Sequence, residues 1–120
     1  MLRERWTGAC LLLAFLAPLA CASHSLEEDR RRQAQEIWRG HEAVVARAIE
    51  GEQDLDQFME SVDFLSNLTG IEIHVEIFTM GYLPTPETPE DLELIRAWFK
   101  ANGDRLYYDS DTRTVRVLER

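Results

Sequence analysis

The chain has 120 residues with 22 acidic and 13 basic side chains, a net charge of −9, and 45% hydrophobic residues. That length folds one small domain, because two cores cut from it would each be too small to hold. The acidic balance excludes phosphate backbones and anionic lipid surfaces as electrostatic partners, so no nucleic acid is expected and a basic protein surface is the favoured kind of partner.

Residues 9–19 form an apolar run that follows a short, slightly basic opening and is too short to cross a bilayer as a stable helix. This is the pattern of an export signal over residues 1–20. The run ends in Leu19-Ala20-Cys21, and the segment resembles the lipobox of bacterial lipoproteins, where a small residue precedes a cysteine that is acylated and becomes the new N-terminus. The resemblance covers the first 21 residues and implies a lipid on Cys21 that attaches the protein to a membrane. With Ala22 rather than an acidic residue next, it also implies the outer membrane of a bacterial cell envelope. The residues leave a second cut open: Ala20-Cys21-Ala22 is an A-x-A site whose cleavage frees a soluble periplasmic or secreted chain beginning at Ser23. Cys10 departs with the signal in either case, so the mature chain keeps at most one cysteine and cannot form an internal disulfide. Removing residues 1–20 takes two arginines and one glutamate from a net charge of −9 and leaves −10. Residues 21–25 then act as a short tether and 26–120 as a single globular unit.

Ser25 and Glu28 form a capping box and predict a helix start, with Glu27 and Glu28 four residues ahead of Arg31 and Arg32 on a solvated face. Ala34, Ile37, Trp38, His41, Val44, Val45, Ala48 and Ile49 recur at helical steps as one buried stripe, Gly40 suggests a kink or a close helix crossing, and Gly51 ends the helix. Asp54 opens a second helix with Leu55, Phe58, Met59, Val62, Leu65 and Thr69 on one face, Phe64 and Leu68 beside it, and Gly70 at its end. Residues 71–77 alternate apolar and polar, the pattern of a strand with one face in the core, although Ile71, Val75 and Phe78 also fit a helical stripe. Residues 80–89 carry three prolines and predict an irregular connection rather than sheet. Thr88, Pro89, Glu90 and Asp91 open a third helix, with Thr88 as cap and Leu92, Ile95, Trp98 and Phe99 as its buried side up to Asn102 and Gly103. Residues 106–108 and 115–117 flank a turn and predict a terminal hairpin, in which Arg113 stands where glycine would be easiest. The sum is an α+β fold, helix-dominated, with about three helices, a short strand and a C-terminal β-hairpin.

On a strand, Glu72, His74 and Glu76 share one face at successive spacings of roughly 7 Å, and carboxylates flanking an imidazole are weak metal-ligand candidates. The stronger reading of the trio is a wet strand face with a raised histidine pKa, since no second ligand pattern accompanies it. Tyr82 and the prolines read as a rigid loop packed on the core, and Trp38, Trp98 and Phe99 as core rather than a ligand cage. Asn67-Leu68-Thr69 matches a glycosylation triplet within a helix and carries no weight there. Asp109 and Asp111 resemble the opening of a calcium loop, but Arg113 occupies the next ligand position, so a turn is expected. No catalytic set assembles, and neither cofactor nor metal is expected. The leading expectation is a non-catalytic exported envelope protein, a lipid-anchored acidic interaction domain. A secreted inhibitor or immunity-type protein that binds a basic protein comes second, and a metal-dependent enzyme using His41 or His74 comes last.

Overall fold

A computed structural model describes the backbone of residues 2–52 and 54–119, and the side chains from Ser25 onward within those ranges. Three helices, α1 (Leu2–Ile49), α2 (Leu55–Thr69) and α3 (Thr88–Asn102), pack with two antiparallel two-stranded sheets, β1 (Val75–Phe78) with β2 (Gly81–Pro84) and β3 (Leu106–Asp109) with β4 (Thr114–Val117). This is the expected helix-rich α+β architecture with a C-terminal hairpin, and it contains one hairpin more than the sequence pattern announced. The expected export segment of residues 1–20 and the side chain of Cys21 lie outside the described side chains. Among the described residues no helix is long and apolar enough to cross a membrane.

The core is built by α1. Ala34, Trp38, Val45 and Ala48 of its stripe are buried, and Trp38 stacks on Trp98 at 5.4 Å and on Phe99 at 5.1 Å, which fastens α1 to α3. Burying an aromatic side chain of this size contributes about 2–3 kcal/mol, with roughly a further 1 kcal/mol for the ring contacts. Phe58, Val62 and Leu65 of α2, Leu92 and Ile95 of α3, Ile73 and Leu106 complete the cluster, and Phe64 and Leu68 pack against its edge. Asp54 caps α2 by accepting from the Gln57 amide at 3.1 Å, and Gly70 closes it in the left-handed conformation, as the sequence predicts.

Several expectations are corrected. α1 passes unbroken through Ser25 and residues 21–25, so the capping box does not begin a helix in the uncut chain. The box works only where amides lack carbonyls four residues back, and in the continuous helix residues 21–24 supply those carbonyls to the amides of 25–28. Gly40 marks no helix crossing, for nothing approaches within 4 Å of the place its Cβ would take. The strand expected over 71–77 begins only at Val75; Ile73 is buried ahead of it, while Ile77, assigned to the core face, is 72% exposed. Residues 81–84, expected to be irregular, form β2. The register pairs Val75 with Pro84, Glu76 with Leu83, Ile77 with Tyr82 and Phe78 with Gly81 across a two-residue turn. The turn makes Phe78 and Gly81 a hydrogen-bonded pair, so Pro84 falls at a position whose N–H would point away from the partner, and the missing donor costs the ladder nothing. Gly81 has φ +140°, a conformation that side chains rarely adopt.

The last corrections fall on α3. Glu87, not Thr88, occupies its cap position and makes no side-chain cap bond, while Pro89 does sit in the first turn. At its end Gly103 takes an ordinary helical φ of −59°, and what it supplies is space: the Phe99 ring lies 3.1 Å from where a Cβ would stand. The terminal hairpin matches its prediction, with Arg113 at φ +56° and Asp109 accepting from the amides of Asp111 at 3.0 Å and Thr112 at 3.4 Å, which makes the turn a turn.

Candidate functional site

His74 does not join Glu72 and Glu76. It sits in the extended segment just before β1, and both its backbone N–H, at 2.7 Å, and its ring Nδ1, at 2.9 Å, meet one oxygen of Asp91 in the first turn of α3. Its Nε2 lies 3.5 Å from Glu87. Thr88, fully buried, donates its hydroxyl to the His74 carbonyl at 2.7 Å and accepts from the Thr85 amide at 2.8 Å. Asp91 and Thr88 were read as helix-start residues, and here they clamp the strand entrance onto the helix. The Asp91 hydrogen bond holds the His74 pKa above its usual value against some burial, with the charges of Asp91, Glu87 and Glu72 adding to the rise. Periodicity could not find this set, since the partners are 13 to 17 residues away and the strand that would have lined up Glu72 and Glu76 starts after His74. Glu72 and Glu76 are exposed, and among the described residues no group of three or more His, Cys, Asp or Glu is placed to hold a metal.

His41 lies elsewhere, between α1 and α2. Its Nδ1 is 2.8 Å from the Ser61 hydroxyl, and its ring stacks on Phe64 at 4.1 Å. Burial pushes its pKa down, opposed by Glu60. Ser61 is only 2% exposed, and its bond to His41 ties α1 to α2 at the wall of a groove of about 420 Å³ that Val44, Gln57 and Glu60 also line. A half-open groove of about 440 Å³ runs beside it, lined by Ile37, Phe64 and Leu68 with Tyr108 and Arg113 from the terminal hairpin. The two histidines line different cavities. Thr69 of the glycosylation triplet spends its hydroxyl on the end of α2, donating to the Leu65 carbonyl at 2.7 Å and accepting from the Ile71 amide at 3.0 Å.

The feature that sequence reasoning passed over is a surface. A groove of about 430 Å³ lies between α2 and the β1–β2 hairpin, lined by Val62, Ile71, Ile73, Val75, Ile77 and Tyr82, with Asp63, Glu72 and His74 among its polar members. At the hairpin tip Ile77, Phe78 and Met80 are exposed, Met80 by 73%. The segment that carries them is strongly acidic: residues 48–95 contain twelve Asp and Glu and not one Lys or Arg, so all thirteen Lys and Arg lie outside it. This asymmetry was countable in the sequence by comparing segments instead of summing the whole chain.

Comparison with protein-family models finds no match, and neither do comparisons with curated proteins and with solved structures, so the site is read from its own chemistry.

Proposed function

We propose that this is an exported protein, anchored through a lipid on Cys21 in a bacterial envelope, whose folded part is a non-catalytic acidic interaction domain. The observation that carries the reading is the coincidence, on one hairpin, of uncovered apolar side chains with a chain segment, residues 48–95, that holds twelve carboxylates and neither Lys nor Arg. Apolar side chains exposed together on a polar surface mark contact sites, and a field of one sign selects partners of the other. The polar clusters support a structural rather than catalytic role, because Asp91, Thr88 and Ser61 are each buried and bonded to other parts of the fold. Attachment rests on residues 9–21: acyl chains at about 0.8 kcal/mol per buried methylene hold such a protein on a membrane.

Intact mass of the protein from its native host, with membrane and soluble fractions separated and a Cys21→Ser comparison, tests the reading. A di- or triacyl increment on a chain beginning at Cys21, lost in the variant, is the expected result. An unmodified soluble chain beginning at Ser23 would overturn the anchor.

A further inference from the structure

We infer that the open edge of β1, with the groove beside it, is a docking site for an extended cationic segment that carries apolar side chains at alternate positions. The inference rests on the interaction-domain reading and names its surface and ligand class. Among the described residues β1 pairs with β2 and with no other strand. In its register Val75 and Ile77 stand in the non-hydrogen-bonded pairs, so their N–H and C=O groups point outward, away from β2. An added strand would satisfy them, which is how extended peptides are taken up by sheet edges. Val75, Ile77 and Tyr82 share the hairpin face that borders the groove, and Ile77 is the most exposed of that lining. An incoming strand that places apolar side chains at every second residue would cover Ile77 and turn its other side chains away, toward Glu76 and solvent.

Charge decides among the strands that could fit. Asp63, Glu72, Glu76 and Glu87 are all exposed around the hairpin, and the nearest basic residues in sequence are Arg47 and Arg96. A second copy of this chain would bring an equally acidic hairpin against this one, and like charges placed opposite each other destabilise a strand pair. An anionic bilayer is repelled for the same reason. Lys and Arg on the occupant meet complementary carboxylates, so the ligand is a basic segment of another protein.

The probe is a ten-residue peptide alternating Lys and Val, titrated into the full chain and followed by amide chemical-shift changes. The expected result is a shift cluster at residues 71–77 and Tyr82, binding weakened at least tenfold by Ile77→Ser and unchanged by Leu94→Ser, an exposed apolar position on α3. Binding should also be lost when the peptide backbone is N-methylated along one edge or when Glu replaces its lysines. Shifts scattered over the acidic surface, or equal affinity for the N-methylated peptide, would reduce the effect to unspecific charge attraction and overturn the inference. So would a concentration-dependent dimer abolished by Ile77→Ser, because the edge would then belong to a second copy. Ile77 is exposed, so unchanged circular dichroism of Ile77→Ser confirms that a loss is one of binding. The mass measurement on Cys21 is independent of this outcome, so either statement can fail alone.

Discussion

Each of the two hairpins joins a pair of four-residue antiparallel strands, yet they are built into the molecule in different ways. In β3–β4, Leu106 is buried in the core, the Leu118 amide donates to the Arg105 carbonyl at 2.8 Å, Arg105 donates to the Leu118 carbonyl at 3.2 Å, and Arg116 pairs with Asp109 at 3.1 Å. Its charges are of both signs and close on one another. In β1–β2 the strands themselves contribute no fully buried side chain; Ile73 before the hairpin sits in the core, the His74, Asp91 and Thr88 bonds hold its base, and along β2 Tyr82 packs against the core's edge and donates to Asp63 of α2 at 3.4 Å. A two-stranded hairpin is marginal alone, so each needs a foundation. The second is braced along its length. The first is fixed at its root and along β2, and the outer edge of β1 has no strand partner among the described residues.

The largest expected effect comes from removing what both hairpins share. Trp38→Ala empties the aromatic stack between α1 and α3 and should cost about 3–5 kcal/mol in denaturant unfolding, with both hairpins loosening together. Survival of either hairpin's cross-strand contacts in that variant would mean that they fold without the common core. Asp91→Ala separates the two. It leaves the part-buried amide of His74 without its acceptor, should cost about 1–3 kcal/mol, and should raise hydrogen exchange in β1–β2 while leaving β3–β4 as it was. Equal effects on both hairpins would contradict the clamp. Arg113→Gly acts on the other hairpin with opposite sign: relieving the left-handed conformation should stabilise the protein by about 1 kcal/mol, read as a rise in Tm.

The smallest effect is a pH dependence in which the two histidines oppose each other. His74 has a raised pKa, so its contribution is fully present below its ordinary value of 6.5 and is lost as pH rises through the raised one. His41 has a lowered pKa, so its contribution is present above 6.5 and is lost as pH falls through the lowered one. Stability of His74→Gln should therefore fall more steeply on acidification than that of the parent, and stability of His41→Gln less steeply. Parallel pH profiles for parent and variants would sink this assignment.

The helices were legible because their signals are local. Asp54, Gly70 and the stripes from Ala34 to Ile49 and Leu92 to Phe99 each declare themselves within a few turns, and the turn at Asp109 and Arg113 does so within five residues. What was not legible depended on partners distant in sequence. Ile71, Ile73, Val75 and Ile77 alternate without fault, but only Ile73 of the four is fully buried, because the pleat cannot say where a strand leaves the core. β2 was hidden by Pro84, which weakens a strand assignment unless the register is known. Asp91 and Thr88 looked fully explained as helix-start chemistry, and that local explanation concealed their bonds to His74. The acid-only segment required no structure at all, only a count by region.

The account turns on whether the edge of β1 is open, and amide hydrogen exchange of the free protein tests that most directly. The N–H groups of Val75 and Ile77 should exchange quickly, while those of Glu76 and Phe78, directed into the ladder, and of His74, bonded to Asp91, are protected. Strong protection at Ile77 would show the edge already covered within the molecule, and the docking surface would have to be abandoned.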